Sequence, residues 1–175
     1  CQDGLSRVTL GNFLIKRVVF EIQEELPNIK NFGTLSPIPG FRNWYMNLEE
    51  KLVKNILGNI PLENISFLKS SSLKIGDTRI LSNKNAIYKL VAHYLMNEKN
   101  QKQLPINDVC RFHLGNGAII DDIVINANIS EVGFNRSFGV MVNYLYELKN
   151  IEKNHEEYIN NKTIIVSNKV KKLIQ

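Results

Sequence analysis

The sequence predicts a mixed α/β fold, on the strength of two opposite patterns of apolar residues. They recur with helical spacing over residues 10–26, whereas they alternate with polar residues over 138–148, as in a strand. A second predicted strand over residues 118–127 indicates an antiparallel pair late in the chain. With 175 residues, the chain has the length of one domain.

Local signals predict the remaining elements. Thr9 and Pro27 provide an N-cap before the first helix and a stop after it. A short strand over residues 32–35 leads into a Ser-Pro-Ile-Pro-Gly turn, in which the prolines restrict the backbone and the glycine permits the bend. Residues 58–85 show no periodicity and are expected to be irregular. Further helices are expected over residues 41–57 and 86–96, and from about residue 163 onward.

Composition and charge argue against several classes of protein. No signal peptide is visible, and no apolar run approaches the ~20 residues that cross a bilayer. Cys1 and Cys110 are too few for a disulfide framework, and Cys110 is expected to be a small buried hydrophobe. The net charge is +5, but acidic residues are interspersed among the basic ones, so no nucleic-acid surface is predicted. Asp121 and Asp122 have no His or Cys at ligand spacing, so no metal site is predicted.

The loop at the start of the chain is the first candidate site. A glycine-containing loop that enters a helix presents free backbone N–H groups at the positive end of the helix dipole, which suits a diphosphate. Ser6, Arg7 and Thr9 add hydrogen-bond donors there, and Gly11 permits the close approach of a ligand. An ordinary capped helix has the same features, and on the motif alone it is the simpler interpretation.

Ser36 and His113 are the candidates for chemistry. Ser36 directly follows a predicted strand and is held by the two prolines after it, although a serine that caps the next helix would look the same. His113 lies in an apolar setting before a Gly-Asn-Gly turn, where its pKa can move into a range useful for proton transfer. A hydrogen-bonded core histidine is the alternative. His93 is expected to be structural or at the surface, and His155 to be solvated.

Three segments of the chain occur together, in this order, in one known family. They are Leu10-Gly11-Asn12-Phe13-Leu14-Ile15-Lys16-Arg17-Val18-Val19, Leu35-Ser36-Pro37-Ile38-Pro39-Gly40-Phe41 and Phe112-His113-Leu114-Gly115-Asn116-Gly117-Ala118. With the later run Gly139-Val140-Met141-Val142-Asn143-Tyr144, they resemble the catalytic domain of malonyl-CoA decarboxylases. The Ser-Pro-Ile-Pro-Gly-Phe run is the most specific part of this resemblance.

The resemblance implies a fold and a set of site residues. Residues 1–175 would form the later part of a domain similar to GNAT-type acyltransferases, with a central mixed sheet flanked by helices. Its parts would be a CoA-binding loop and helix (3–26), a serine turn (32–41), a histidine turn with the late strands (109–148) and a C-terminal helix. Ser36 matches the family's catalytic serine, His113 its catalytic histidine and proton donor, and Tyr144 a tyrosine near the site. The loop that contacts the substrate matches Ser6, Arg7, Val8, Thr9, Leu10, Gly11 and Asn12.

The implied activity is decarboxylation of malonyl-CoA to acetyl-CoA and carbon dioxide, without a cofactor other than the CoA that the substrate carries. The family tends to form homo-oligomers, and a cytoplasmic or mitochondrial location is expected because no Ser-Lys-Leu-like peroxisomal ending is present. A GNAT-like acyltransferase and an inactive CoA-binding remnant remain as alternatives.

The family's N-terminal helical domain and first sheet strands are not among these residues. We therefore expect residues 32–35 to lie beside an unpaired sheet edge and the first helix to lack part of its partner surface. We also expect residues 1–175 alone to be poorly stable or inactive.

Overall fold

A computed structural model describes residues 10–174 of the chain. This range contains ten α-helices and three strands, with a 3₁₀ turn at Phe67–Lys69. The elements in chain order are α1 (Leu10–Glu25), β1 (Phe32–Pro37), α2 (Phe41–Met46), α3 (Glu50–Leu57), α4 (Glu63–Ser66), α5 (Thr78–Ser82), α6 (Lys84–Met96), α7 (Asp108–Gly115), β2 (Ile119–Val124), α8 (Glu131–Ser137), β3 (Met141–Tyr146), α9 (Ile151–Asn161) and α10 (Asn168–Ile174).

The three strands form one antiparallel sheet in the order β1-β3-β2. The predicted mixed α/β class and the late antiparallel pair are thereby confirmed. A parallel component, expected from the resemblance, enters the described range only as an isolated bridge between Ile120 and Val166. β1 is an edge strand whose strand neighbour is β3, and its register places Ser36 opposite Val142.

The core lies between one face of the sheet and a layer of helices. Because side chains alternate along a strand, Val142, Tyr144 and Tyr146 of β3 all point to this face, where they are buried. Phe41 and Tyr45 of α2 belong to the same core, where both pack edge-on against Phe138, and both are at most 1% exposed. Burial of side chains of this size contributes about 1.5–3 kcal/mol each, so this interface is a main source of stability.

Helix α1 has the extent that its periodicity predicts, but its apolar face is only partly covered. Val19 is buried, whereas Val18 and Leu26 are 43% and 53% exposed. Within residues 10–174, no helix is both long enough and apolar enough to cross a membrane.

Several predicted elements differ in extent. The single helix predicted over residues 41–57 is two helices, α2 and α3, because the Asn47 side chain donates to the carbonyl of Asn43 and competes with helix continuation. The second strand ends at Val124 rather than 127, since Asn126 adopts a positive φ of 55°. The last helix begins at Asn168, because Val166 before it is held in the bridge to Ile120.

Four short helices, and the longer helix α9, were not predicted. Residues 58–85 contain α4 and α5 rather than an irregular loop, and α7 and α8 flank β2. Side-chain caps explain three of these starts: Asp77 accepts from the N–H of Arg79, Asn107 from that of Cys110, and Ser130 from that of Gly133. Such helices of one or two turns are too short for an apolar period to be visible.

Candidate active site

Ser36 lies within β1, one residue before its end, rather than after the strand as predicted. It points to the packed face of the sheet and is 6% exposed. The residue at the N-cap of α2 is Gly40, which makes no side-chain cap hydrogen bond. The interpretation of Ser36 as a helix cap is therefore wrong, and its hydroxyl is available for another partner.

The turn after Ser36 is held from outside. The carbonyl of Pro39 accepts hydrogen bonds from the Tyr94 hydroxyl at 3.0 Å and from the Asn107 amide at 2.9 Å. Gly40 adopts φ +85°, and a Cβ there would lie 2.8 Å from the Tyr94 oxygen. Glycine is thus required at this position, and the turn fixes the end of β1 against α6 and α7.

His113 lies on the last turn of α7 and reaches Ser36 across the core. Its Nε2 is 2.9 Å from Ser36 Oγ, and its Nδ1 is 2.7 Å from the hydroxyl of Tyr146. The ring stacks on Tyr144 with centroids 4.3 Å apart and an interplanar angle of 17°. Both edges and one face of the imidazole are therefore occupied, so its orientation is fixed.

Burial determines the charge state of the His113 imidazole. It lowers the pKa of His113 to about 4, whereas a pKa in the near-neutral range that suits proton transfer was expected. It also raises the pKa of Tyr146. At neutral pH the imidazole is therefore uncharged, with one N–H donor and one acceptor nitrogen.

One proton arrangement satisfies the whole cluster. Ser36 Oγ is also 3.3 Å from Thr34 Oγ1, two residues earlier on β1. If Tyr146 donates to Nδ1 of His113, then Nε2–H donates to Ser36, and Ser36 donates to Thr34. This cluster of Thr34, Ser36, His113 and Tyr146 is named the Ser-His site below.

The structure thus brings Ser36 and His113, the two predicted candidates for chemistry, into direct contact. Tyr144 is adjacent to the pair but stacks on His113, while its hydroxyl hydrogen-bonds with the Cys110 thiol. Tyr146, which contacts His113 directly, was missed in the sequence. Its position two residues after Tyr144 on an alternating strand was the signal that could have found it.

The other predicted substrate contacts are described only in part. Leu10, Gly11 and Asn12 form the first turn of α1, where the predicted helix N-terminus lies. Ser6, Arg7, Val8 and Thr9 lie outside the described residues.

The remaining candidates have structural roles. His93 is at the surface beside Glu98, at 3.3 Å. His155 was predicted to be solvated, but its Nδ1 donates to the carbonyl of Gly115 at 2.6 Å.

Cys110 is fully buried as predicted, and burial raises its pKa to about 12. Asp122 pairs with Lys169, and residues 10–174 contain no group of three or more His, Cys, Asp or Glu that could hold a metal ion.

Comparison with known proteins identifies one family. The family model described as malonyl-CoA decarboxylase C-terminal domain matches residues 1–175. The mitochondrial malonyl-CoA decarboxylase of Mus musculus is 35% identical over 191 residues, covering 99% of this chain and 39% of that protein. The corresponding protein of Anser anser anser is 34% identical, with 97% and 37% covered.

Solved structures agree with these relatives. The crystal structure of malonyl-CoA decarboxylase from Rhodopseudomonas palustris is similar with a TM-score of 0.83 at 36% identity, covering 99% of this chain and 40% of that one. The structure from Agrobacterium vitis has a TM-score of 0.82 at 34% identity, with 100% and 43% covered. The chain therefore spans about two fifths of the length of the relatives that it matches.

Proposed function

This chain belongs to the malonyl-CoA decarboxylase family, and on that premise we propose that it converts malonyl-CoA to acetyl-CoA and carbon dioxide. Ser36 and His113 are the acting pair in this proposal. The observation that carries it is their buried contact, 2.9 Å between Ser36 Oγ and His113 Nε2. A hydroxyl and an imidazole in hydrogen-bond contact can pass a proton between them, and a substrate carboxylate that replaces this contact can bind to both.

The chemistry defines what each residue does. When the carboxylate of malonyl-CoA leaves as carbon dioxide, its bonding electron pair stays on the thioester as an enolate. Ser36 orients the carboxylate end of the substrate through its hydroxyl. His113 then gives a proton from Nε2 to the α-carbon, which forms acetyl-CoA.

The low pKa of His113 is compatible with this role because the substrate is an anion. A carboxylate within ~4–6 Å favours the imidazolium form and raises the pKa of a histidine. Substrate binding would therefore bring a proton to His113, which burial leaves neutral in the free protein. After the proton passes to carbon, the imidazole is neutral again and Tyr146 still occupies its Nδ1 side.

The CoA diphosphate is assigned to the start of α1 in this proposal. The matching residues are Ser6 to Asn12, and the exposed N–H groups and dipole of a helix N-terminus favour a diphosphate. Gly11→Val should raise KM about tenfold through steric exclusion, with little change in kcat, in a steady-state assay. Gly11→Ala, with a single added methyl group, should fall between Val and Gly. A complex with the diphosphate bound away from α1 would contradict the assignment.

Further parts of the proposal concern cofactors, assembly and location. The thioester carbonyl itself accepts the electron pair, so the reaction needs no metal or redox cofactor, and dialysis against EDTA should leave turnover unchanged.

We also propose assembly into a homo-oligomer, to be tested by light scattering. Of the two expected locations, cytoplasm and mitochondrion, the names of the mammalian and avian relatives favour the mitochondrion.

The test of the activity uses the purified full-length protein with malonyl-CoA and follows acetyl-CoA by chromatography, since residues 1–175 alone are expected to be poorly stable or inactive. Formation of acetyl-CoA without an acyl acceptor supports decarboxylation. Release of free CoA only when an amine acceptor is present would instead identify a GNAT-like acyltransferase. Binding of malonyl-CoA without either product would identify an inactive CoA-binding remnant.

A further inference from the structure

Helix α9 packs against α7 and the turn that follows His113. We propose that Asn154 and His155 of α9 are positioning residues, which hold the backbone of that turn and thereby keep His113 at its distance from Ser36. The catalytic part of this inference rests on the proposed function, whereas the positioning part does not.

Two hydrogen bonds join α9 to the turn. Asn154 Nδ2 donates to the carbonyl of Gly117 at 3.2 Å, and His155 Nδ1 donates to the carbonyl of Gly115 at 2.6 Å. Asn154 is only 6% exposed. A buried amide requires a partner, so this contact constrains both the helix and the turn.

The turn has no space to move toward α9. Gly117 adopts φ +80°, and a Cβ at this residue would lie 2.1 Å from the carbonyl oxygen of Ile151, the first residue of α9. The turn also bonds back to its helix, since the carbonyl of His113 accepts from the N–H groups of Asn116 and Ala118, each at 3.1 Å. A displacement of the turn therefore displaces the backbone of His113.

The same segment of chain holds the ring and the backbone of His113. Tyr144 and Tyr146 of β3 contact the ring, and α9 begins only five residues after β3 ends. The connection is itself closed by a hydrogen bond from the N–H of Asn150 to the carbonyl of Glu147 at 2.7 Å. Because β1 also pairs with β3, the position of Ser36 relative to His113 is set by contacts to this one β3–α9 unit.

Packing would persist if the two donors were removed. Tyr158 of α9 also lies against the turn, with a ring carbon 3.9 Å from where a Cβ of Gly115 would be. Loss of either hydrogen bond should therefore loosen the turn without detaching α9, and its effect should appear in the geometry of His113.

The experiment compares Asn154→Leu, His155→Leu and His155→Asn with the unchanged protein. Leucine removes the donor at each position, whereas asparagine at 155 places an amide nitrogen near the position of Nδ1. The control is Asn161→Leu on the same helix, where the native side chain is exposed and its amide donates to Glu157 within α9. The readouts are the ¹⁵N resonances of the His113 ring, assigned by their loss in His113→Asn, together with kcat and KM for malonyl-CoA.

We expect both leucine variants to shift the His113 resonances and to lower kcat about 10- to 100-fold, with KM changed less than about threefold. His155→Asn and Asn161→Leu should stay within about threefold of the unchanged protein in both constants. If Asn154→Leu does not fold, the two His155 variants decide the question.

Unchanged His113 resonances in the leucine variants would overturn the proposal, whatever the activity. So would an equal loss of kcat in His155→Leu and His155→Asn, or shifted resonances with an unchanged kcat. If the resonances shift but the unchanged protein does not decarboxylate malonyl-CoA, the positioning of His113 stands and the proposed function fails.

Discussion

Two regions of this molecule each bury a serine, and they use its hydroxyl differently. In the Ser-His site, the side chains of Ser36, His113 and Tyr146 bond mainly to one another. In the connection from β2 through α8 to β3, Ser130 accepts from the backbone N–H of Gly133, and the Ser137 hydroxyl donates to the carbonyl of Val140 at 2.6 Å. The first region joins side chains from three elements, whereas the second satisfies the backbone.

This difference separates chemistry from structure. The ends of a helix leave backbone groups without partners, so Ser130 and Ser137 meet a need that the fold itself creates. The Ser-His site meets no such need, because apolar side chains of similar shape would fill the space without leaving a backbone group unpaired. Bonds between side chains are also the rarest class in folded proteins. Their concentration around His113 supports a functional origin.

The largest expected effect tests this separation directly. His113→Asn keeps a polar side chain but removes the proton donor, so kcat for malonyl-CoA should fall by about 10²–10⁴, the usual contribution of general acid–base catalysis. KM should change little, because the CoA contacts lie elsewhere in the proposal. The measurement is acetyl-CoA formation under saturating substrate.

A matched control is available in the same chain. His93→Asn makes the same substitution at a half-buried histidine outside the Ser-His site, where the ring stacks on Trp44 and faces Glu98. It should leave kcat unchanged. If His113→Asn keeps normal turnover, or if His93→Asn loses as much, the Ser-His site is an ordinary polar core and the comparison between the two regions collapses.

The second expected effect concerns stability as a function of pH. Burial lowers the pKa of His113 from an ordinary 6.5 to about 4, so between these values the unfolded chain binds a proton that the folded chain does not. Stability is therefore complete above pH ~6.5 and falls as the pH drops toward ~4, by up to about 3 kcal/mol. Urea unfolding at several pH values measures it.

The comparison is with His113→Asn, which cannot titrate at this position. As the pH falls through this window, the unchanged protein should lose unfolding free energy relative to His113→Asn. Every other titratable group is present in both proteins, so the change in their difference reports His113 alone. A difference that is independent of pH would mean that His113 is solvated in solution, and that the buried pair with Ser36 does not persist.

The sequence predicted the pair but not its surroundings. Ser36 and His113 are 77 positions apart and were joined only by the resemblance to a family, because nothing local indicates which side chains meet across a core. Tyr146 was within reach of an argument from strand alternation, since it shares a face with Tyr144. That argument needed the register of β3 against β1, which depends on tertiary packing.

The positioning role of α9 could not be predicted for a different reason. The segment around His155 is rich in Glu and Lys, so composition indicated a solvated stretch. What places His155 against the histidine turn is the close approach of Gly117 to Ile151, which is a contact between backbones. By contrast, α1 and β3 were predicted because apolar periodicity over six or more residues reports burial directly, whereas β1 was inferred from only four residues before the Ser-Pro-Ile-Pro-Gly turn.

The smallest expected effect compares two buried serines, one from each region. Ser137 donates to a backbone carbonyl, so Ser137→Ala should leave that carbonyl unsatisfied and lower the free energy of unfolding by about 1 kcal/mol, with kcat unchanged. Ser36→Ala removes the acceptor of the buried Nε2–H of His113, while the turn after it is still held by Tyr94 and Asn107. Its cost in stability should therefore also be about 1 kcal/mol.

The two variants should differ in turnover, because only Ser36→Ala is expected to change it. A hydrogen bond to a charged group contributes about 1.5–3 kcal/mol, so losing the contact that orients the substrate carboxylate should lower kcat about 10- to 100-fold. Urea unfolding and kcat, both measured for the two variants, should show a similar loss of stability in both and a loss of kcat in Ser36→Ala alone. If Ser36→Ala loses stability and keeps its turnover per folded molecule, Ser36 belongs with Ser137 among the structural residues. His113 would then have to act without it, with the substrate carboxylate oriented by another donor.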